Sequence, residues 1–111
     1  MTYEELNNMI AGLGLPYAYN EFPNNTRQAP PFICFLLDDT SQDLMADNKN
    51  YAAIRPLTIE LYTDNKDFDL EQTIEAALTS AGLAFSRGEA FIEGERMYQI
   101  TYETEVYINN A

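Results

Sequence analysis

The sequence predicts an α+β fold: a single domain with a mainly antiparallel sheet and two helices packed on one face, in the order α-β-β-β-α-β-β. Three observations predict it. Apolar residues recur at helical spacing twice, as Leu6, Met9, Ile10 and Leu13 and again as Leu70, Ile74, Ala77, Leu78 and Ala81. They alternate with polar residues along 57–63 and 97–108, the pattern of strands with one face in water. Ahead of both lies a run, residues 32–38, that is apolar on both faces and needs cover on both.

The first helix, residues 3 to 11, opens with Thr2 and Glu5 at the spacing of a reciprocal cap and closes near Gly12 and Gly14. "PYAYNEF" follows as a short strand, and "PNNTRQAPP", rich in turn formers, is an exposed connection. After the apolar strand "FICFLLD", the polar stretch 39–50 is a long connection of the kind found at contact surfaces. Residues 51 to 63 form a long strand in which Pro56, unable to donate a ladder hydrogen bond, marks a bend, a bulge or a sheet edge.

The acidic stretch "YTDNKDFDLEQ", residues 62 to 72, precedes the second helix. An EF-hand calcium loop would need oxygen ligands at positions 1, 3 and 5, glycine at 6 and glutamate at 12. Counting from Asp67 puts Gln72 at the glycine position and Leu78 at the last, and counting from Asp64 puts Lys66 third. The stretch is therefore a helix start, with Asp69 and Gln72 at capping spacing and Asp67, Asp69 and Glu71 placed where the helix dipole favours negative charge. Gly82 and Leu83 close the helix. A shorter strand spans 84–91, "EGER" turns the chain, and the last strand puts Tyr98, Ile100, Tyr102, Val106 and Ile108 on one face.

With 111 residues, the chain has the length of one domain, residues 1–111, and its eight tyrosines and six phenylalanines supply a core. No apolar run approaches the roughly 20 residues that cross a bilayer, and the start lacks a secretory pattern, so an intracellular compartment is expected. Eighteen acidic residues against six basic ones give a net charge of −12, which disfavours binding to nucleic-acid backbone and leaves room for a basic protein partner. With no histidine in the chain, the usual general base and zinc ligand are missing, and nothing activates the lone Cys34. No phosphate-cradling glycine loop is present. Catalytic, cofactor-binding and metal-ligating residues are all expected to be absent.

Asp38, Asp39, Glu103 and Glu105 are candidates for carboxylate chemistry by number alone; strand ends and a wetted strand face account for them better. Tyrosines 51, 62, 98, 102 and 107 resemble a base-stacking platform but lack the positive groove that goes with one, so core or interface places are expected.

The phrases "LGLPYAYNEF", "APPFICFLL", "ADNKNYAAIRPLTIELYTDNKDFDLEQTIEAAL" and "FIEGERMYQITYETEV" resemble, over residues 5 to 107, the small tail-completion proteins of long-tailed phages and prophages of Gram-positive bacteria, also called tail terminator or head-tail joining proteins. The resemblance implies an α/β sandwich subunit of the virion, made in the host cytoplasm, with neither enzyme activity nor cofactor. Its partners would be further copies of itself, often in a six-membered ring, with the tail tube protein and the head connector protein. A different class, an acidic inhibitor that mimics DNA, predicts carboxylates arrayed along one face. A carboxylate-only enzyme predicts a deep pocket holding two close carboxyl groups.

Overall fold

The computed structural model describes residues 1–22, 28–38, 42–43 and 52–109. Asp39, Tyr51 and most of the polar connection lie outside them. The elements are α1 (Tyr3–Ala11), β1 (Tyr17–Tyr19), β2 (Phe32–Leu37), β3 (Gln42–Asp43), β4 (Ala52–Thr63), α2 (Phe68–Ser80), β5 (Phe85–Ile92) and β6 (Met97–Asn109). The five longer strands lie in the order β1-β2-β4-β6-β5, and β3 pairs with the start of β4. β1 runs parallel to β2, and every other pairing is antiparallel.

Both helices begin and end for local reasons. In α1 the Thr2 amide donates to Glu5 Oε1 at 2.8 Å and the Glu5 amide donates back to Thr2 Oγ1 at 3.1 Å. In α2 the cap is Asp67, whose carboxylate accepts from the Leu70 amide at 3.1 Å. This corrects the expected Asp69: the helix starts two residues earlier, and Asp69 sits within its first turn. At the other end Gly82 takes φ +76°, its amide reaches the Thr79 carbonyl and the Leu83 amide reaches that of Leu78, both at 3.0 Å. This is a Schellman closure, and Leu83 folds back onto the core.

One face of the sheet carries the core. Ile33 and Leu37 of β2, Leu57, Ile59 and Leu61 of β4, and Ile100, Tyr102, Val106 and Ile108 of β6 pack with Leu6 and Ile10 of α1 and Ile74 and Leu78 of α2. Burying each aliphatic side chain there stabilises the fold by about 2 kcal/mol relative to leaving it wet. Both helices therefore lie on the same face, as their single apolar stripes require.

Pro56 occupies a local edge. Leu37 pairs with Leu57, so Asp38 stands opposite Pro56. The Asp38 amide donates to the Pro56 carbonyl at 2.9 Å, but proline has no N–H to return. Arg55 Nε takes that role, donating to the Asp38 carbonyl at 3.1 Å. On the other side of β2 the Tyr19 hydroxyl both donates to the Leu37 carbonyl and accepts from its amide, at 3.0 and 3.1 Å. Side chains thus close the backbone groups at the end of β2 that no strand reaches.

Candidate functional site

The face opposite the helices is the surface left for function. Its apolar corner lies on β2. Phe32 stacks on Tyr62 with ring centroids 4.8 Å apart, and the Phe22 ring meets Phe32 edge-on at 5.4 Å. Phe32 and Cys34 are buried here, whereas Leu36 is left 42% exposed. The expectation that both faces of β2 would be covered is met at only two of the three positions on this face. Burial raises the Cys34 thiol pKa above its usual value and the charges of Glu60 and Glu21 raise it further, so the thiol stays protonated.

Next to it lies a polar triad that sequence reasoning missed. Tyr62 donates to Glu60 Oε1 at 3.1 Å, while Gln99 donates to Glu60 Oε2 at 3.1 Å and to the Tyr62 hydroxyl at 2.9 Å. Glu60 and Tyr62 are readable as wet-face residues of β4, but Gln99 joins them only through the Tyr62–Gln99 register. Burial first, then the Glu60 carboxylate, pushes the Tyr62 phenol up to about 12. Both oxygens of Glu60 are occupied by donors, an arrangement that fixes a surface and leaves no free base.

Of the four carboxylates singled out from sequence, Asp39 lies outside the described residues, and Asp38 is not brought to Glu103 and Glu105. Asp38 and Glu105 lie in one cross-strand row on either side of Pro56, two strand spacings or about 10 Å apart in backbone. Glu103 and Glu105 line an open groove of about 630 Å³ with Thr58, Pro56, Ser86 and Tyr107. The breadth of the groove keeps both carboxylates in water. Among the described residues no three His, Cys, Asp or Glu side chains are placed to hold a metal ion. The described tyrosines of that set do not form a platform either: Tyr102 is fully buried, Tyr98 packs against the core, Tyr62 is on the opposite face and Tyr107 is 55% exposed.

Over β5, on the helix face, lies the densest charge cluster among the described residues. The buried Glu71 carboxylate pairs with Lys66 Nζ at 2.7 Å and with Arg87. Arg87 also reaches Glu89 at 3.0 Å and Glu75 at 3.7 Å, and Tyr102 donates to Glu75 at 2.9 Å. Hydrogen bonds from Lys66 and then Arg87 hold the Glu89 carboxyl below the usual glutamate range. This network joins α2 to β5 and has the character of a structural brace. The remaining described acids are spread over α1, the start of α2, the β5–β6 turn and the open face, instead of gathering on one side.

No family model matches the chain, and no curated protein does. Among solved structures, the chain is similar in fold to one from the virion of a native gene transfer agent particle. The TM-score is 0.57 and the identity 19%, and the match covers 97% of this chain and 91% of that one. No described helix is long and apolar enough to cross a membrane.

Proposed function

We propose that this protein is a non-enzymatic structural subunit of a phage or prophage virion, which completes the end of the tail tube and joins it to the head connector. The observation that carries the reading is the fold match over 97% of the chain to a component of a gene transfer agent virion. The sequence resemblance to tail-completion proteins points the same way. The open face adds a physical reason: it offers a braced, rigid surface of apolar corner and polar triad, suited to shape recognition of protein neighbours. The partners are further copies of the chain in a ring, the tail tube protein and the connector. The site of action is the virion, after assembly in the host cytoplasm. The DNA-mimic reading fits less well, because the described carboxylates are spread over several elements and do not line one face.

The test is to mix the purified chain with purified tail tubes and view them by electron microscopy. Rings seated on tube ends are expected. Bare tube ends at saturating protein, together with salt-sensitive capture of a basic DNA-binding protein, would replace this reading with the mimic.

A further inference from the structure

β5 is an edge strand, and among the described residues nothing pairs with its outer side. The six residues between its ends are all exposed. Exposed edges are normally blunted by proline, lysine, a bulge or covering side chains. The end of β2 is closed in this way by Tyr19 and Arg55, whereas β5 has no proline, lysine or bulge of its own, and its two charges, Arg87 and Glu89, are opposite in sign.

Its sequence, Phe85-Ser86-Arg87-Gly88-Glu89-Ala90-Phe91, reads as its own complement when a second copy runs antiparallel. With Gly88 opposite Gly88, Arg87 faces Glu89, Ser86 faces Ala90 and Phe85 faces Phe91, and symmetry makes each contact twice. The alternation of the strand keeps the aromatic and ionic pairs on the helix face and the small residues on the open face. Phe91, 48% exposed, gains an aromatic partner. Arg87, already paired with Glu71, Glu75 and its own Glu89, gains a further carboxylate directly across. At Gly88 nothing lies within 4 Å of where a side chain would begin, so a cysteine introduced there has room.

We propose that two copies of this chain pair through their β5 edges, antiparallel about Gly88, to form a two-fold dimer with one continuous sheet. The contact is isologous and uses the edge up, so it cannot propagate around a ring. It belongs to the free protein and stands independently of the tail-tube reading. A single strand pair buries less than a standard interface of roughly 1,600 Å², so the dimer is weak and concentration-dependent.

Sedimentation equilibrium of the full chain from micromolar to submillimolar concentration tests this, with mass expected to rise from 12.6 kDa towards twice that value. Phe91→Lys should abolish the rise with the circular dichroism spectrum unchanged. In a Cys34→Ser background, Gly88→Cys should give a covalent dimer under mild oxidation, because opposed Cβ atoms lie about 5 Å apart. Ser86→Cys alone should not, its symmetry mates being four residues or roughly 13 Å apart along the strand, whereas mixing Ser86→Cys with Ala90→Cys should. A monomer at every concentration, a dimer indifferent to Phe91→Lys, or cross-linking of Ser86→Cys as readily as Gly88→Cys would each overturn the proposal.

Discussion

The two faces of the central strands are built from the same thirty or so backbone positions and differ in almost everything else. On the helix side Leu57, Ile59, Leu61, Ile100, Val106 and Ile108 are fully buried. On the other side Thr58, Glu60, Thr101, Glu103 and Glu105 alternate with them and keep contact with water. One strand can therefore satisfy two demands at once: stability is supplied by every second residue, and the residues between are free to be shaped by partners.

The largest effect that would break this contrast comes from a matched pair of substitutions. Ile59→Ala should cost about 3 kcal/mol of folding free energy, through lost burial and a cavity under both helices. Thr58→Ala, one residue away on the other face, should cost less than about 0.5 kcal/mol. Urea denaturation of both variants checks it, and similar losses would show that the open face is structural after all.

A smaller effect is expected at the brace. Glu71→Gln leaves Lys66 and Arg87 facing an uncharged group and should cost about 2 kcal/mol, read from the shift in the same denaturation curve. If β5 were held by its ladder to β6 alone, the loss would be negligible.

The smallest effect is on the acid side. The Thr2 amide and then its hydroxyl hold Glu5 below the usual glutamate value near 4.5, as Lys66 and Arg87 hold Glu89. A carboxyl whose folded pKa is depressed contributes stability that is complete above its unfolded value and is lost as pH falls through the folded one. Denaturation midpoints should thus hold from pH 7 to about 5 and then decline as the pH falls below about 4.5, and Glu89→Gln should make that decline shallower.

Features that depend on near neighbours in the chain were legible in the sequence. The Thr2–Glu5 cap, the Gly82–Leu83 closure and the alternation of β4 and β6 each need only a few consecutive residues, and all are present in the structure. The second helix cap was misplaced because Asp67 and Asp69 are equally able to cap. The structure places Asp67 against the Leu70 amide. The Glu71 brace and the Glu60–Tyr62–Gln99 triad were not legible, since each is completed by a residue at least 16 positions away, Arg87 or Gln99, and depends on register between strands or on how α2 lies over β5. The exposure of Leu36 was missed for a related reason: the rings of Phe22 and Tyr62 reach Phe32 but stop short of it.

The proline in β4 has one more consequence. After it in β4, the pairing with β2 has residue numbers that sum to 94, as in Leu37 with Leu57; ahead of it, the pairing with β3 has numbers that sum to 96, as in Gln42 with Ile54. The neighbouring chain slips by two residues, one whole wavelength of the pleat, and the sheet stays in phase across the interruption.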